Sequence, residues 1–194
     1  MIIVLAGIDG AGKTTAGKLL TERLSTAAYP ATFTANPSGR RSMTAWGTRR
    51  NIHPPAVLLD ALETTIRCVN VLISHLRATT GSGVVIMDRH LYCQLALRQV
   101  RDLRPGWFLP LLLWVLPTPD IVFYFDVQTD IAHTRVNSRA ADTETIEHLR
   151  AFDQAYRELQ DFPSFIIIDA SHSSGQAVDD ILQELGMCGL GLQP

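Results

Sequence analysis

The residues best able to do chemistry begin at Gly7. "GIDGAGKT" (7–14) has the spacing G-x-x-x-x-G-K-[ST]. Glycines let a backbone wrap around an anion with its amide N–H groups turned inward, so Gly7, Gly10, Ala11 and Gly12 form a candidate phosphate cradle. A helix starting near Gly12 would add the positive end of its dipole. In such a cradle Lys13 can reach the β- and γ-phosphates of a nucleoside triphosphate. Thr14 can ligate Mg2+ through its hydroxyl, with Thr15 beside it on the nucleotide side. A second group lies in "VVIMDRH" (84–90). Asp88 can hold Mg2+ directly or through water, or hydrogen-bond the glycine loop, and Arg89 can grip another phosphate with two parallel bonds. The competing reading of Asp88 and Arg89 is a helix N-cap followed by a surface arginine.

The elements around these residues are those the chemistry needs. Apolar runs at 2–6, 31–35, 83–88, 120–126 and 164–169 read as strands, several apolar on both faces as buried parallel strands are. Helical patterns at 13–27, 55–79, 90–104, 129–139, 144–160 and 175–185 separate them. The alternation predicts a three-layer α/β/α fold with a central parallel sheet of about five strands. Ligands of such sheets bind at the carboxyl ends of strands, where 7–14, 36–41, 88–90 and 169–172 fall. Two stretches break the pattern: a loop at 36–55 with four arginines, Arg40, Arg41, Arg49 and Arg50, and a polar stretch at 137–144 that reads as a short lid.

Composition excludes several classes. A chain of 194 residues with 46% hydrophobic and 19% charged residues reads as one globular domain spanning 1–194. Its net charge of -2 gives no general attraction to nucleic acid or to an anionic membrane. Lysine occurs only at Lys13 and Lys18, so any further anion site must use arginine forks. The three cysteines, Cys68, Cys93 and Cys188, have neither disulfide-framework nor metal spacing, and no signal peptide precedes Ile2, which together predict a cytoplasmic location. The apolar stretch 107–127 is broken by Pro110, Pro117, Pro119, Asp120 and Asp126, which predicts a buried helix and a buried strand rather than a membrane span.

The ordered set "GIDGAGKTT", "DRH", "PDIVFYFDV" and "FDQAYRELQ" resembles the thymidylate kinase family of P-loop kinases over residues 1 to about 185. The resemblance implies ATP with Mg2+ as donor, a nucleoside monophosphate as small-molecule acceptor, and a homodimer. It implies that Asp9 lies near the acceptor sugar and Mg2+, and that Arg89 contacts the acceptor phosphate. Pro37 and Gly39 match the family's E-P-G-G-T loop, and Arg49 or Arg50 downstream become acceptor-phosphate candidates. Arg135 falls where a family arginine lies beside the adenine or α-phosphate. Arg139, at the lid's edge, becomes the candidate for stabilising charge on the transferred phosphoryl group. "DASHS" (169–173) takes the place of the loop bordering adenine.

The base-reading positions depart from the family. Asp60 stands where an aromatic stacks on thymine, and Thr64 where an arginine follows one turn later; a one-turn shift brings Arg67 there instead. Cys93 replaces a serine, Leu97 a tyrosine, Arg98 a glutamine and His90 a tyrosine, His90 reading as structural. Gln94 offers an amide to a base edge, and a carboxylate at Asp60 would favour a base with an amino donor. The predicted activity is a thymidylate kinase-like transfer of the ATP γ-phosphoryl group to dTMP or a related monophosphate. A kinase for a nucleoside or other metabolite, with Asp88 or Asp9 as base, and a non-catalytic ATP-binding protein are the alternatives. A GTPase switch is set aside because no N-K-x-D motif can follow Lys18.

Overall fold

A computed structural model of the protein describes residues 1–36, 56–81, 83–103, 106–138 and 144–187. The arginines at 40, 41, 49, 50 and 139, nearly all of the 36–55 loop and most of the 137–144 lid lie outside the described residues.

Five parallel strands, β1 (Ile2–Ala6), β2 (Ala31–Ala35), β3 (Val84–Asp88), β4 (Ile121–Asp126) and β5 (Ile166–Asp169), form one sheet in the order β2-β3-β1-β4-β5. Every residue of β1 is buried, as expected of a central strand with neighbours on both edges and helices on both faces. The register pairs Leu5 with Asp88, Ala6 with Tyr124 and Asp126 with Asp169, so the carboxyl ends of the strands finish side by side. β1 lies where the chain changes its direction of travel across the sheet, the usual position of a ligand crevice. Ile3, Leu5, Ile86, Phe123 and Phe125 fill the core.

The helices are α1 (Lys13–Thr26), α2 (Ala56–Thr80), α3 (Leu91–Val100), α4 (Phe108–Val115), α5 (Thr129–Asn137), α6 (Ile146–Arg157) and α7 (Ser174–Met187). The expected helix at 90–104 ends at Val100, and Asp102 turns the chain with a φ of 54°. The last strand begins at Ile166 because Phe162–Ser164, with Pro163 inside it, is a single 3-10 turn.

One expectation needs correction. The 107–127 stretch does form a helix and a strand, but the helix is not buried: only Leu109 of α4 is, while Trp107, Phe108, Leu111 and Val115 are exposed and Trp114 is 82% exposed. Pro110 lies in the first turn, where its missing N–H is tolerated, and Leu116 goes extended before Pro117, which stops the helix after two turns. So short a helix touches the body along one edge. There Leu109 and Leu116 pack with Cys68, Val71 and Leu91 in a small second core. Leu112 and Leu113 pack partly against it, while Trp107, Phe108, Leu111, Trp114 and Val115 face outward among the described residues.

Candidate active site

Gly12 caps α1 in the left-handed region, at φ 87°, and Gly10 shares that φ. A Cβ on Gly10 would stand 2.3 Å from the Ala132 carbonyl oxygen, so the loop passes hard against α5 and tolerates no side chain there. Ala11 is buried beneath the loop, Gly7 leads into it at φ 134°, and Thr15 is exposed in the first turn of α1. Lys13 is 5% exposed and its Nζ donates to the Ile8 carbonyl at 2.6 Å, folded back across the mouth of its own loop.

The end of β3 meets this cradle. Thr14 Oγ1 donates to Asp88 Oδ2, and Asp88 Oδ1 is buried without a partner. A buried carboxylate oxygen with no donor, beside a hydroxyl, is a donor set suited to a hard cation that takes its other ligands from phosphate and water. Among the described residues no group of three or more His, Cys, Asp or Glu is arranged to hold a metal without such help.

Arg89 follows in the left-handed region at φ 74°, which no glycine relieves. Such an outlier costs on the order of 1–3 kcal/mol and persists where surrounding bonds over-determine it. Here Arg89 N–H donates to the Leu5 carbonyl at 3.1 Å and Asn36 Nδ2 donates to the Arg89 carbonyl at 2.8 Å. The guanidinium reaches Asp9 through Nη2, and its Nη1 donates to Cys93 Sγ at 3.4 Å. Burial opposes its charge, but Cys93, Tyr156 and Glu144 around it hold its pKa above the ordinary value. Burial alone would push the Cys93 thiol up; the charges of Arg67 and Arg89, with Tyr156 alongside, draw it below the ordinary cysteine value.

The remaining acceptor-side residues lie between α2 and α3. Asp60, 3% exposed, accepts from Gln94 Nε2 at 3.3 Å, Arg98 Nε at 3.0 Å and Arg101 Nη1 at 2.9 Å. Gln94 Nε2 also donates to Thr64 Oγ1 at 2.9 Å. Glu63 pairs with Arg101 at 3.0 Å and with Arg67 at 3.6 Å. Arg67 is 1% exposed, and its Nε and Nη1 have no partner. On the nucleotide side, Arg135 donates to the carbonyls of Ala170 at 2.8 Å, Ser171 at 3.0 Å and His172 at 3.1 Å. It thereby pins the loop after β5 beside a small recess lined by Ala11, Phe125, Ala170 and Ser174.

The structure thus draws Asp9, Lys13, Thr14, Asp88 and Arg89 together and sets Asp60, Thr64, Arg67 and Gln94 as one buried group beside them. Comparison with known proteins gives this arrangement its family. The sequence profile of thymidylate kinase matches residues 5–181. The chain belongs to the thymidylate kinase family. A probable thymidylate kinase of Thermococcus kodakarensis is 32% identical over 187 residues, covering 88% of this chain and 89% of that protein. One from Pyrococcus horikoshii is 30% identical over 195 residues, covering 93% of each. One from Thermococcus gammatolerans is 29% identical over 202 residues, covering 95% and 93%. Membership in the thymidylate kinase family supports phosphotransferase activity and the ATP and Mg2+ use typical of P-loop kinases.

The sequence reading placed Asn36 within the strand-end stretch 36–41 without assigning it a role, and missed Ser74, Glu63 and Arg101. Asn36 and Ser74 brace Arg89 in series, Ser74 Oγ donating to Asn36 Oδ1 at 3.3 Å. Glu63 and Arg101 complete the ionic group. Helical spacing carried a signal for both: Glu63 precedes Arg67 by one turn, and Arg101 follows Arg98 by three residues.

Proposed function

We propose that this member of the thymidylate kinase family transfers the γ-phosphoryl group of ATP to dTMP or a closely related nucleoside monophosphate. One observation carries the reading. The end of β3 supplies Asp88 to Thr14 of the phosphate loop and, one residue later, Arg89 to Asp9, so one strand end braces the donor cradle and an arginine suited to a second phosphate.

In this reading the loop amides and Lys13 bind the donor phosphates, Lys13 leaving the Ile8 carbonyl to do so. Thr14 and Asp88 would hold Mg2+, which supplies charge neutralisation on the phosphates when bound. Arg89 orients the acceptor phosphate, held in place by Asp9, and Arg49 or Arg50 adds to that grip. Arg139 meets the charge that develops during transfer, and Arg135 steadies the adenine-side loop. A monophosphate oxygen is already a nucleophile near neutral pH, so no general base is required. Asp9, paired with Arg89, is poorly placed to act as one for a hydroxyl acceptor.

The reading includes one domain over 1–194 with an acceptor loop at 36–55 and a lid at 137–144. It also includes a cytoplasmic location, supported by the free thiols of Cys68 and Cys93. Among the described residues no helix is long and apolar enough to cross a membrane. We further propose a homodimer. The outward apolar residues of α2, Val69, Leu72, Ile73 and Leu76, and those of α4 give a second copy a surface to cover.

ADP release with ATP and Mg2+ against dTMP, dUMP, UMP, dCMP, CMP and free nucleosides tests the activity, with Lys13→Ala as blank. A monophosphate giving the highest kcat/KM supports the proposal. A nucleoside as best acceptor, or no acceptor raising turnover above the blank, overturns it.

A further inference from the structure

Asn36 follows β2, is 1% exposed, and ties three elements together. Its backbone N–H carries the β2–β3 ladder one step further by donating to the Asp88 carbonyl at 3.1 Å. Its side-chain Nδ2 then reaches the next residue and donates to the Arg89 carbonyl at 2.8 Å. The other end of the amide, Oδ1, accepts at 3.3 Å from Ser74 Oγ of α2, a hydroxyl that shares its one hydrogen with the Asn70 carbonyl at 2.9 Å. A carbonyl only accepts, so the amide nitrogen has to face Arg89 and the oxygen has to face Ser74.

That bond falls on the one non-glycine residue of the candidate site whose φ, 74°, lies in the left-handed region. The peptide before Arg89 is held by its N–H on the Leu5 carbonyl of β1 at 3.1 Å, and the peptide after it by Asn36. The dihedrals of Arg89 are the rotations between those two peptides, so two neighbouring strands set them against local preference. The same dihedrals aim the Cα–Cβ bond and therefore the guanidinium, which crosses the end of β1 to Asp9 with Nη1 on Cys93 Sγ at 3.4 Å. Asp9 holds only the tip of the side chain. Without the Asn36 donor the peptide after Arg89 can turn, φ can return to an ordinary negative value, and the side chain leaves its line.

We propose that Asn36 is a positioning residue for the acceptor phosphate: its amide fixes the backbone of Arg89 in the left-handed conformation that directs the guanidinium fork to the acceptor side of the phosphate loop. This rests on the monophosphate-kinase reading above, in which Arg89 takes the acceptor phosphate. Asn36 touches no reacting group. It acts through Arg89, so its loss is felt by the acceptor phosphate and not by the acceptor base or by ATP.

The test is calorimetric binding of dTMP and thymidine, and of dCMP and deoxycytidine, to the full chain. Within a pair, contacts to the base cancel and the ratio of affinities reads the phosphate alone. The unaltered protein is expected to bind at least one monophosphate about 10–100-fold more tightly than its nucleoside, the scale of hydrogen bonds between charged groups. Asn36→Ala is expected to shrink that ratio about five- to tenfold while the nucleoside and ATP affinities hold. Asn36→Asp, which keeps the shape but has no donor for the Arg89 carbonyl, is expected to shrink it at least as far. Arg89→Met should also shrink the ratio, and Asn36→Ala in that background should change it no further. A ratio that survives both substitutions at position 36, or that falls again in the Arg89→Met background, overturns the proposal. Nucleoside and monophosphate affinities that fall together make Asn36 a purely structural residue and overturn it too, leaving the kinase reading standing. If Asn36→Ala does not fold, Asn36→Asp decides alone; failure of both to fold makes Asn36 a folding residue and overturns the proposal. In the unaltered protein, monophosphates held no more tightly than their nucleosides overturn the kinase reading together with the inference.

Discussion

The Thr14 hydroxyl, in the first turn of α1, donates to Asp88 at the end of β3, and the other oxygen of Asp88 is buried without a partner. The bond ties the glycine loop to the strand that carries Arg89. Asp88→Asn keeps the shape and can still accept from Thr14, but removes the negative charge. The Mg2+ concentration at half-maximal rate should rise about 10–100-fold, with a melting temperature close to that of the unaltered protein. A Mg2+ titration of ADP release checks it; an unshifted midpoint removes Asp88 from the metal site.

Asp9 and Arg89 form the second bond across this junction. Arg89→Lys keeps the charge and loses the fork, so kcat/KM for the monophosphate should fall about 10²-fold or more with KM for ATP nearly unchanged. Asp9→Asn should lower it less. Steady-state kinetics with each substrate varied separates the two sides; an equal rise in both KM values would make Arg89 a general structural brace.

In the proposed transfer, Lys13 and Arg139 divide the charge on the transferred group. Lys13→Ala should abolish transfer and leave folding intact, since its aliphatic stem starts the first turn of α1 and its Nζ bond to the Ile8 carbonyl lies within the loop. Arg139→Ala should lower kcat by about 10²-fold with little change in ATP affinity. Single-turnover rates and nucleotide titration read these apart, and an unchanged rate in Arg139→Ala strikes it from the catalytic residues.

His90 gives the fold an acid sensitivity of its own. Both ring nitrogens are buried without a partner, between His75 and Tyr92, and burial with the nearby His75 holds its pKa down to about 3. The unfolded chain takes up that proton near pH 6.5, so the stabilisation is complete above 6.5 and is lost as pH falls from there toward 3. From pH 7 to 5 the loss is about 2 kcal/mol at about 1.4 kcal/mol per unit. His90→Phe keeps a ring in the site and should remove that share of the slope. Urea midpoints at the two pH values test it; parallel slopes would assign the acid sensitivity elsewhere.

The outward apolar surface predicts an assembly. Leu72→Glu on α2 or Trp114→Glu on α4 should convert a two-chain species to single chains in sedimentation velocity. Melting should be little changed once the chains are apart, because both side chains are exposed in the single chain. A single-chain species before any substitution refutes the homodimer.

Much of the fold was legible because its signals are local. The strand at 2–6 follows from a contiguous apolar run, that at 31–35 from β-prone Thr and Phe, and the start of α1 at Lys13 from a loop whose glycines adopt positive φ. Boundaries failed where a competing local event took over, as when Pro163 delayed β5 and Asp102 ended the turn after α3. The burial of α4 was misjudged because composition reports how apolar a segment is, not how many neighbours reach it.

By itself the sequence determined the phosphate cradle, the Asp88–Arg89 pair and the family, since a motif on one loop or one strand end carries its geometry in its spacing. Only the tertiary structure decided what the acceptor side does with Asp60. Asp60 and Gln94 are 34 residues apart on different helices, and no spacing rule says that they touch. A carboxylate in open solvent reads a base directly. The same carboxylate, buried under Arg98, Arg101 and Gln94, has its oxygens engaged by donors from α3.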